Sequence, residues 1–298
     1  MPLAQKSARE CFPQAKAREC MHFSFKNKNT NFYIGFFLGL LEGDGSIQVN
    51  SWKKTHLQFR IIIKLKENLE NYKMCVKLRD TLGIMNLHVR HGYVILVEDH
   101  KKKLPKIMQI IENNGLLTTH RQKQYIFFRY CFYSNITFSE YFWIKQNFDN
   151  WLFLQQLPQN KSLDILKIEP NVIIKKSYFP DWLSGFVEAE GCFCIRKNRT
   201  CAFSIAQKNE KNIILAIQNF WNLPNKVQVK ANGLFAIETY NRQILKVIID
   251  FFQGKDPIFP NKRLLGFKAV QLNKFSQLYL ESFNPLAKAR DWQDKCRD

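Results

Sequence analysis

The sequence has few acidic residues for its number of basic ones. Asp and Glu together number 25 against 45 Lys and Arg, which gives the 298 residues a formal net charge of +20. Such a surplus indicates a polyanionic partner, because Lys and Arg neutralise phosphates and release counterions. An anionic membrane is the other candidate, but no basic amphipathic helix supports it. The longest apolar run, Ile34 to Leu41, contains two glycines and is far too short to span a bilayer.

The signatures of several other catalytic classes are missing. The sequence contains no H-E-x-x-H, no G-x-S-x-G and no P-loop lysine motif. The segment Glu42-Gly43-Asp44-Gly45 does not fit an EF-hand, because its glycine comes too early in the loop. The eight cysteines form no C-x-x-C pair, and no histidine has a spacing suited to zinc. We therefore interpret the cysteines as free thiols in a reducing compartment.

One nine-residue pattern is present twice. It reads Phe37-Leu38-Gly39-Leu40-Leu41-Glu42-Gly43-Asp44-Gly45 and, 146 positions later, Leu183-Ser184-Gly185-Phe186-Val187-Glu188-Ala189-Glu190-Gly191. A constant offset over this length indicates an internal duplication. Asp181 after Pro180 is a helix-start signal with Asp as N-cap, and both copies stop at a glycine, which is typical just past a helix end. Each copy therefore predicts a short helix with an acidic last turn.

The acids at these helix ends, Asp44 and Glu190, oppose the helix dipole at a cost of about 0.3–1 kcal/mol each. Small residues that recur every four positions would let the two helix backbones approach closely. These residues are Gly39, Gly43, Gly185 and Ala189. If the helices pack along them, both acids and several carbonyls converge around a cation, and oxygen ligands favour Mg²⁺ or Ca²⁺ over zinc. The alternative is two buried helices with solvated acids.

On these two motifs the chain resembles the LAGLIDADG homing endonucleases of the single-chain type, with a looser likeness over about residues 30–284. The resemblance implies an α+β fold of two pseudo-symmetric αββαββα halves. The motif helices would form the interface, and each half would offer a saddle-shaped antiparallel sheet to double-stranded DNA. Phe37 and Leu38 depart from the family's usual Leu and small residue, which loosens the packing slightly.

The resemblance also implies the metal ligands and the cofactor. In the family the last acid of each motif binds divalent metal, and the residue before it lends a backbone carbonyl. The implied ligands in this sequence are Asp44, Gly43, Glu190 and Ala189. The expected cofactor is Mg²⁺, with Ca²⁺ supporting DNA binding without cleavage.

Polar and apolar residues alternate after the first motif, from Ser46 to Trp52 and again from His56 to Leu65. This period of two predicts a sheet with one buried and one exposed face. Gln, Asn, His and Arg on the exposed face can read base edges in a major groove, whereas a plainly solvated sheet would favour Lys, Glu and Thr. The predicted DNA contacts are Ser46, Gln48, Asn50, Trp52, His56, Gln58, Arg60, Ile62, Arg90, Arg196, Asn198, Ser204, Gln228 and Lys230.

The remaining pattern predicts the same element order in both halves. The first half has helices at 68–82 and 100–114 around a hairpin of 86–91 and 93–98 that turns at Gly92. The second has hairpins of 192–197 with 200–208 and of 227–230 with 234–239, and helices at 209–221, 241–252 and 262–280. The predicted domains are a disordered extension (1–28), an N-terminal half (29–149), a linker (150–177), a C-terminal half (178–284) and a tail (285–298).

The family further implies a basic residue near the metals, from the segment that opens the last helix of each half. Lys262 fits this place in the second half, and Arg121 fits it in the first, with Lys123 as the alternative. Gln207 matches a polar residue late in the second strand, and its first-half counterpart is expected to be Ile63. The two half-sites would then differ in chemistry. The alternative is that Lys262 and Gln207 are ordinary surface residues.

Taken together, the sequence predicts a monomeric, divalent-metal-dependent endonuclease that cuts a long asymmetric duplex DNA site. The resemblance implies an intron-encoded product that cuts the intronless allele and leaves short 3′ overhangs. The abundance of Phe, Ile, Asn and Lys, residues of A/T-rich codons, indicates an organellar gene, mitochondrial rather than chloroplast. Two alternatives could use the same basic saddle without needing both acids: a maturase that binds its host intron RNA, and a non-catalytic nucleic-acid-binding protein.

Overall fold

The structure is a computed structural model that describes residues 28–52, 56–134, 136–149, 167–196 and 200–281. The predicted extension apart from Lys28, most of the predicted linker and the predicted tail lie outside these ranges. The first half contains α1 (Lys28–Asp44), β1 (Gly45–Trp52), β2 (His56–Lys66), α2 (Leu69–Leu82), β3 (Asn86–Arg90), β4 (Tyr93–Glu98), α3 (Leu104–Asn114), α4 (Thr119–Tyr133) and α5 (Phe138–Gln146). A short helix, α6 (Pro170–Ile173), precedes the second half. The second half contains α7 (Phe179–Glu190), β5 (Cys192–Ile195), β6 (Cys201–Lys208), α8 (Lys211–Phe220), β7 (Gln228–Lys230), β8 (Leu234–Thr239), α9 (Arg242–Gln253) and α10 (Phe267–Glu281).

Each half builds one four-stranded antiparallel sheet. The strand order is β1-β2-β4-β3 in the first half and β5-β6-β8-β7 in the second, so the two sheets have the same topology. The hairpins turn where the sequence predicts, at His91-Gly92 and at Asn232-Gly233, whose positive φ angles favour Gly and Asn. The predicted α+β architecture of two pseudo-symmetric halves is confirmed.

Local signals explain several helix boundaries. Asn68 caps α2 by accepting the backbone N–H of Asn71 at 2.8 Å, and Gly83 ends that helix in the left-handed conformation. Asn241 caps α9 in the same way, through the N–H groups of Gln243 and Ile244. These positions agree with the sequence prediction to within two residues.

Other predicted boundaries are wrong. Helix α3 begins at Leu104 rather than at residue 100, because the three lysines before it form a turn. Helix α10 begins at Phe267 rather than at residue 262. Asp181 is not the N-cap of α7, which begins at Phe179; its carboxylate instead forms an ion pair with the guanidinium of Arg263.

The two halves share one continuous apolar core. Buried side chains run from the inner face of one sheet, through α1 and α7, to the inner face of the other. Stacked rings of Trp182 and Phe186, with centroids 4.5 Å apart, lie at its centre. Helix α5, which the sequence does not predict, contacts the edge strand β1 through the Tyr141 hydroxyl, which donates to the Val49 carbonyl at 2.9 Å. In the part of the chain that the structure describes, no helix has the length and apolar character needed to cross a membrane.

Candidate metal centre and nucleic-acid interface

The two motif helices, α1 and α7, pack backbone against backbone. A Cβ atom built on Gly39 would lie 1.9 Å from the carbonyl oxygen of Trp182. One built on Gly185 would lie 1.9 Å from the carbonyl oxygen of Phe36. Since no side chain fits at either position, the predicted close packing through small residues is present. It sets the last turns of the two helices side by side.

The acids Asp44 and Glu190 end these two last turns. A Cβ on Gly43 would lie 2.4 Å from the Cβ of Ala189 and 3.3 Å from the Cγ of Glu190. Burial raises the pKa of Glu190, and the negative charge of Asp44 raises it further. The Asp44 side chain reaches solvent, yet the protein around it removes enough water to raise its pKa as well. The structure thus brings together the four residues that the sequence assigned to metal.

Arg121 lies in the first turn of α4 and donates hydrogen bonds to the C-terminal end of the first motif helix, α1. Its Nη2 donates to the carbonyl oxygen of Gly43 at 3.1 Å, and its Nε donates to that of Glu42 at 3.3 Å. Its Nη1 donates to the Gln124 Oε1 at 3.0 Å. These carbonyls are the unpaired acceptors at a helix C-terminus, so the guanidinium serves as a cationic cap. It also holds one of the carbonyls predicted to bind metal.

The positive charge of Arg121 lowers the pKa of both Asp44 and Glu190 and so counteracts part of the increase caused by burial. Burial in turn lowers the pKa of Arg121. The alternative residue, Lys123, instead forms an ion pair with Asp149 at 2.6 Å on the outer side of α4. Of the two basic residues proposed for the first half, the structure therefore brings Arg121 to the acids.

In the second half the structure brings Lys268, and not Lys262, to the acids. The positive charge of Lys268 lowers the pKa of Asp44 more than the charge of Arg121 does, and it also lowers the pKa of Glu190. Lys262 is exposed in the loop before α10, with its backbone against Gly254. Lys262 fits the expected place only if the last helix begins at residue 262, whereas α10 begins five residues later, at Phe267.

Gln207 lies late in the second strand of its half, and its Nε2 donates to the Glu190 Oε1 at 3.2 Å. Its predicted counterpart, Ile63, is wrong. Ser46 pairs with Ile62, and the residue 146 positions after Ser46, Cys192, pairs with Ser204. Three residues beyond Ile62 and Ser204 are Leu65 and Gln207, so the counterpart is Leu65. This residue is also apolar, and the two half-sites differ in the way the sequence analysis expected.

The first acid of each motif, for which the sequence predicts no role, caps a later helix of its own half, α4 in the first half and α10 in the second. Glu42 accepts the backbone N–H of Leu117 at 2.9 Å and of Thr118 at 2.6 Å, the Thr118 hydroxyl at 2.7 Å and the Trp182 Nε1 at 2.7 Å. Burial outweighs these donors and raises the pKa of Glu42 to about 7. The available signal was the acid-small-acid pattern that both motifs share.

Glu188 repeats this arrangement in the second half. It accepts the backbone N–H groups of Leu265 at 3.2 Å, Gly266 at 3.1 Å and Lys268 at 2.8 Å. Its burial raises its pKa as well. Each motif helix therefore ends with two acids of different function: one holds the start of the helix that carries a cation, and the other lies at the shared centre.

The outer face of the first sheet carries the predicted row of polar side chains. Gln48 pairs across the ladder with Arg60, and Asn50 with Gln58. Along β1 the Gln48 Nε2 donates to the Ser46 Oγ at 3.0 Å. Among the described residues the Arg60 Nε is a buried atom without a hydrogen-bond acceptor. By register, the predicted contacts on this face are Ser46, Gln48, Asn50, Trp52, His56, Gln58, Arg60, Ile62 and Arg90.

The outer face of the second sheet is smaller and less polar. The described predicted contacts on this side are Arg196, Ser204, Gln228 and Lys230, whereas Asn198 lies outside the described residues. Arg196 is held in the protein itself: its Nη2 donates to the Glu238 Oε1 at 3.1 Å and to the Tyr240 hydroxyl. Glu238 lies across the ladder from Ser204, so the sheet face includes an acid that the sequence analysis did not assign.

The donors at the centre fit a hard divalent cation. The described residues include no group of three or more His, Cys, Asp and Glu side chains placed to hold a metal. The chain supplies two carboxylates, Asp44 and Glu190, with backbone carbonyls beside them, and all of these are oxygen atoms. Mg²⁺ and Ca²⁺ prefer such ligands, and Mg²⁺ is commonly held by one or two carboxylates with water and substrate phosphate.

The chain matches known sequences over most of both halves. The pattern described as LAGLIDADG endonuclease matches residues 37–132 and 183–279. A probable intron-encoded endonuclease aI3 of Dictyostelium citrinum is 36% identical over 250 residues, which are 82% of this chain and 94% of the relative. A probable intron-encoded endonuclease aI3 of Debaryomyces hansenii is 30% identical over 290 residues, 87% of this chain and 41% of the relative.

Solved structures share the fold. The LAGLIDADG meganuclease I-CpaMI bound to uncleaved DNA matches with a TM-score of 0.61 at 18% identity, over 88% of this chain and 96% of that one. The LAGLIDADG homing endonuclease I-GzeII in complex with its DNA target matches with a TM-score of 0.62 at 13% identity, over 89% and 96%. I-SmaMI bound to uncleaved DNA in the presence of calcium ions gives 0.60 at 13% identity, over 86% and 95%.

Proposed function

The chain belongs to the LAGLIDADG endonuclease family, and we propose on this basis that it cuts double-stranded DNA at one long asymmetric site with the help of divalent metal ions. The observation that carries the proposal is the meeting of Asp44 and Glu190 at the ends of two helices in backbone contact. Two acids that repel each other at adjacent helix C-termini are unfavourable in the protein alone. A bound divalent cation would offset this cost.

The residues of the chain divide the chemistry between them. Asp44 and Glu190 would hold the metal ions, with the carbonyls of Gly43 and Ala189 beside them. Bound ions would supply an activated water and stabilise charge on the scissile phosphate and the leaving oxygen. Gln207 orients the Glu190 carboxylate through the amide it donates at 3.2 Å.

Two cations complete the centre. Arg121 and Lys268 act on both acids from the first turns of α4 and α10. Because they lie at the same centre, they are suited to stabilise negative charge that develops on the phosphate. This assignment replaces Lys262, which the resemblance suggested, with Lys268.

The two sheets would lie along the duplex on either side of this centre. The surplus of 20 positive charges favours any nucleic acid, whereas the row of Gln, Asn and Arg on the first sheet suits base edges in the major groove. We propose Mg²⁺ as the cofactor and Ca²⁺ as a substitute that permits binding only. The protein would act as a monomer with an internal pseudo-twofold axis, in the organelle that encodes it, for which mitochondria are favoured over chloroplasts.

The test is a comparison of Asp44→Asn and Glu190→Gln with the unchanged protein. The DNA would be the uninterrupted exon junction of the host gene, the site that the intron-encoded names of its relatives suggest. Plasmid cleavage is measured in Mg²⁺ and duplex binding in Ca²⁺ by gel shift. Each variant should lose cleavage and keep binding, or bind slightly more tightly, because a carboxylate that repels phosphate is gone.

Asp80→Asn is the matched control, since Asp80 is an exposed acid of α2 that pairs with Arg79 away from the centre. It should cut like the unchanged protein. Full cleavage by Asp44→Asn or Glu190→Gln would refute the metal assignment. No cleavage by the unchanged protein, with tighter binding to host intron RNA than to the junction, would instead favour the maturase.

A further inference from the structure

The starts of the two helices that carry the cations, α4 and α10, are each held by the opposite half as well as by their own. In α10 the backbone N–H of Phe267 donates to the Asn71 Oδ1 at 3.0 Å, and Asn71 belongs to the first half. In α4 the backbone N–H of His120 donates to the Glu210 Oε1 at 2.9 Å, and Glu210 belongs to the second half. Glu210 also accepts from the backbone and the hydroxyl of Thr119.

These contacts complete the capping of each helix. The N–H groups of Leu265, Gly266 and Lys268 go to the motif acid of their own half, and that of Phe267 goes to Asn71. An α-helix leaves its first N–H groups without an internal acceptor, so each start depends on side chains for its partners. Both halves use one acid from within and one acceptor from across the interface.

The acceptors that cross the interface are themselves tied to the DNA-facing sheets. Asn71 donates its Nδ2 to the carbonyl oxygen of Lys66, the last residue of β2, at 2.9 Å. Glu210 comes two residues after Lys208, the last residue of β6. The residue between them, Asn209, donates its backbone N–H to the Gly233 carbonyl of the β7–β8 hairpin at 2.8 Å.

Both acceptors are buried, with an exposed fraction of 8% for Asn71 and 6% for Glu210. A buried carboxylate without its donors is costly, so Glu210 has few positions other than against the start of α4. Arg121 and Lys268 lie one or two residues beyond the N–H groups that these side chains accept. A displaced helix start would therefore displace the cation.

We propose that Asn71 and Glu210 are positioning residues that act across the interface: the sheet of each half fixes the cation of the other half. This rests on the proposed function, in which Arg121 and Lys268 each assist cleavage at the shared centre. Engagement of one half-site by its sheet would then steady the cation supplied by the opposite half. Neither residue touches the acids of the centre, so their effect would pass through helices α4 and α10.

The test measures nicking of each strand separately under single-turnover conditions, on duplexes labelled on one strand or the other. The reference variants Arg121→Ala and Lys268→Ala show which strand each cation favours. Glu210→Ala should reproduce the strand bias of Arg121→Ala, and Asn71→Ala that of Lys268→Ala. We expect the affected strand to slow by about tenfold to a hundredfold, the effect of a small misplacement of a catalytic group.

Glu210→Gln keeps a carbonyl acceptor for the His120 N–H, so it should restore most of the lost rate and with it the strand ratio of the unchanged protein. Asn219→Ala and Asp80→Ala are the matched controls, because Asn219 is exposed on α8, the helix that follows Glu210, and Asp80 is exposed on α2, the helix that carries Asn71. Neither control should change the strand ratio. Melting temperatures and gel shifts in Ca²⁺ accompany every variant.

The proposal fails if Glu210→Ala shows the bias of Lys268→Ala, because that result would place its effect within its own half. It fails also if both strands slow equally in Glu210→Ala and Glu210→Gln. These results presuppose an unchanged protein that cuts. Absence of cleavage by the unchanged protein would count against the proposed function instead, so the two failures are distinguishable.

Discussion

Replacing Gly185 by Ala tests the backbone contact on which the centre depends. The added Cβ would lie 1.9 Å from the Phe36 carbonyl oxygen, whereas real Cβ atoms essentially never come within 3.0 Å of a heavy atom. The atom it meets is helix backbone, which cannot rotate aside as a side chain can. We therefore expect α1 and α7 to move apart by about 1 Å, with the partial loss of dispersion contacts that a gap of this size causes.

The expected cost follows from this displacement. Overpacking in a core costs about 1–3 kcal/mol, and for a protein of about 300 residues each kcal/mol lowers Tm by about 1.5–2 °C. Calorimetry should thus show a Tm lower by about 2–6 °C. Because the same movement separates Asp44 from Glu190, cleavage should fall by about a hundredfold even well below Tm.

The control is Gly92→Asn, since a Cβ at Gly92 meets nothing within 4 Å and Asn tolerates its positive φ of 75°. This variant should melt like the unchanged protein. A Gly185→Ala protein that melts within about 1 °C of the unchanged one and cuts at the same rate would refute the account of the interface.

Three further predictions concern binding and pH. Arg60→Ala should cost about 1–3 kcal/mol of DNA-binding free energy and relax the sequence preference at one or two base pairs. Lys101→Ala should instead weaken binding to all DNA sequences alike and make binding less dependent on salt. If both variants lost equal affinity for every sequence in competition gel shifts, Arg60 would not read bases. Glu238→Gln should free Arg196 from its ion pair and remove a negative charge from the DNA face, so gel shifts should show binding tighter by about 0.2–1 kcal/mol, and weaker binding would contradict this. Burial raises the pKa of Glu42 from 4.5 to about 7, so the folded protein binds this proton more tightly than the unfolded chain does. Protonated Glu42 therefore adds to the free energy of unfolding below pH 4.5. This contribution, about 3 kcal/mol, is lost as the pH rises from 4.5 through 7. Denaturant titrations across this range should show a shallower decline in Glu42→Gln, and an unchanged slope would show that Glu42 is not the group responsible.

Features that depend on local pattern could be predicted from the sequence. The glycine stripe and the paired acids are visible because the motif is present twice, and the exposed faces of β1 and β2 follow from alternation. Both hairpin turns follow from Gly with a left-handed neighbour. Each of these depends on residues close together in the chain, where the side-chain period fixes the face.

Features set by distant partners could not be predicted. Lys262 was the expected cation because a helix was expected to begin there, whereas Glu188 and Asn71 fix the start at Phe267 and so bring forward Lys268. Likewise, the counterpart of Gln207 depends on strand register, which alternation alone leaves undetermined by two residues. The ion pair of Arg196 with Glu238 joins residues that are 42 positions apart in the chain.

The two halves share the packing of the motif helices and the buried acids, but they differ in the cation and in the second-strand residue near the shared acids. Both halves need a glycine where the motif helices cross and a buried acid on the motif helix that holds the start of α4 or α10, because a change at either position displaces the whole interface. The cation is less constrained, because its charge must only lie near the two acids. Arg121, which donates to the Gly43 carbonyl, meets this condition in one half, and Lys268 meets it in the other. The second-strand residue has similar freedom, as Gln207 contacts Glu190 while Leu65 lies in the apolar core. The two halves therefore place different side chains, Arg121 with Leu65 and Lys268 with Gln207, at equivalent places around one shared pair of acids.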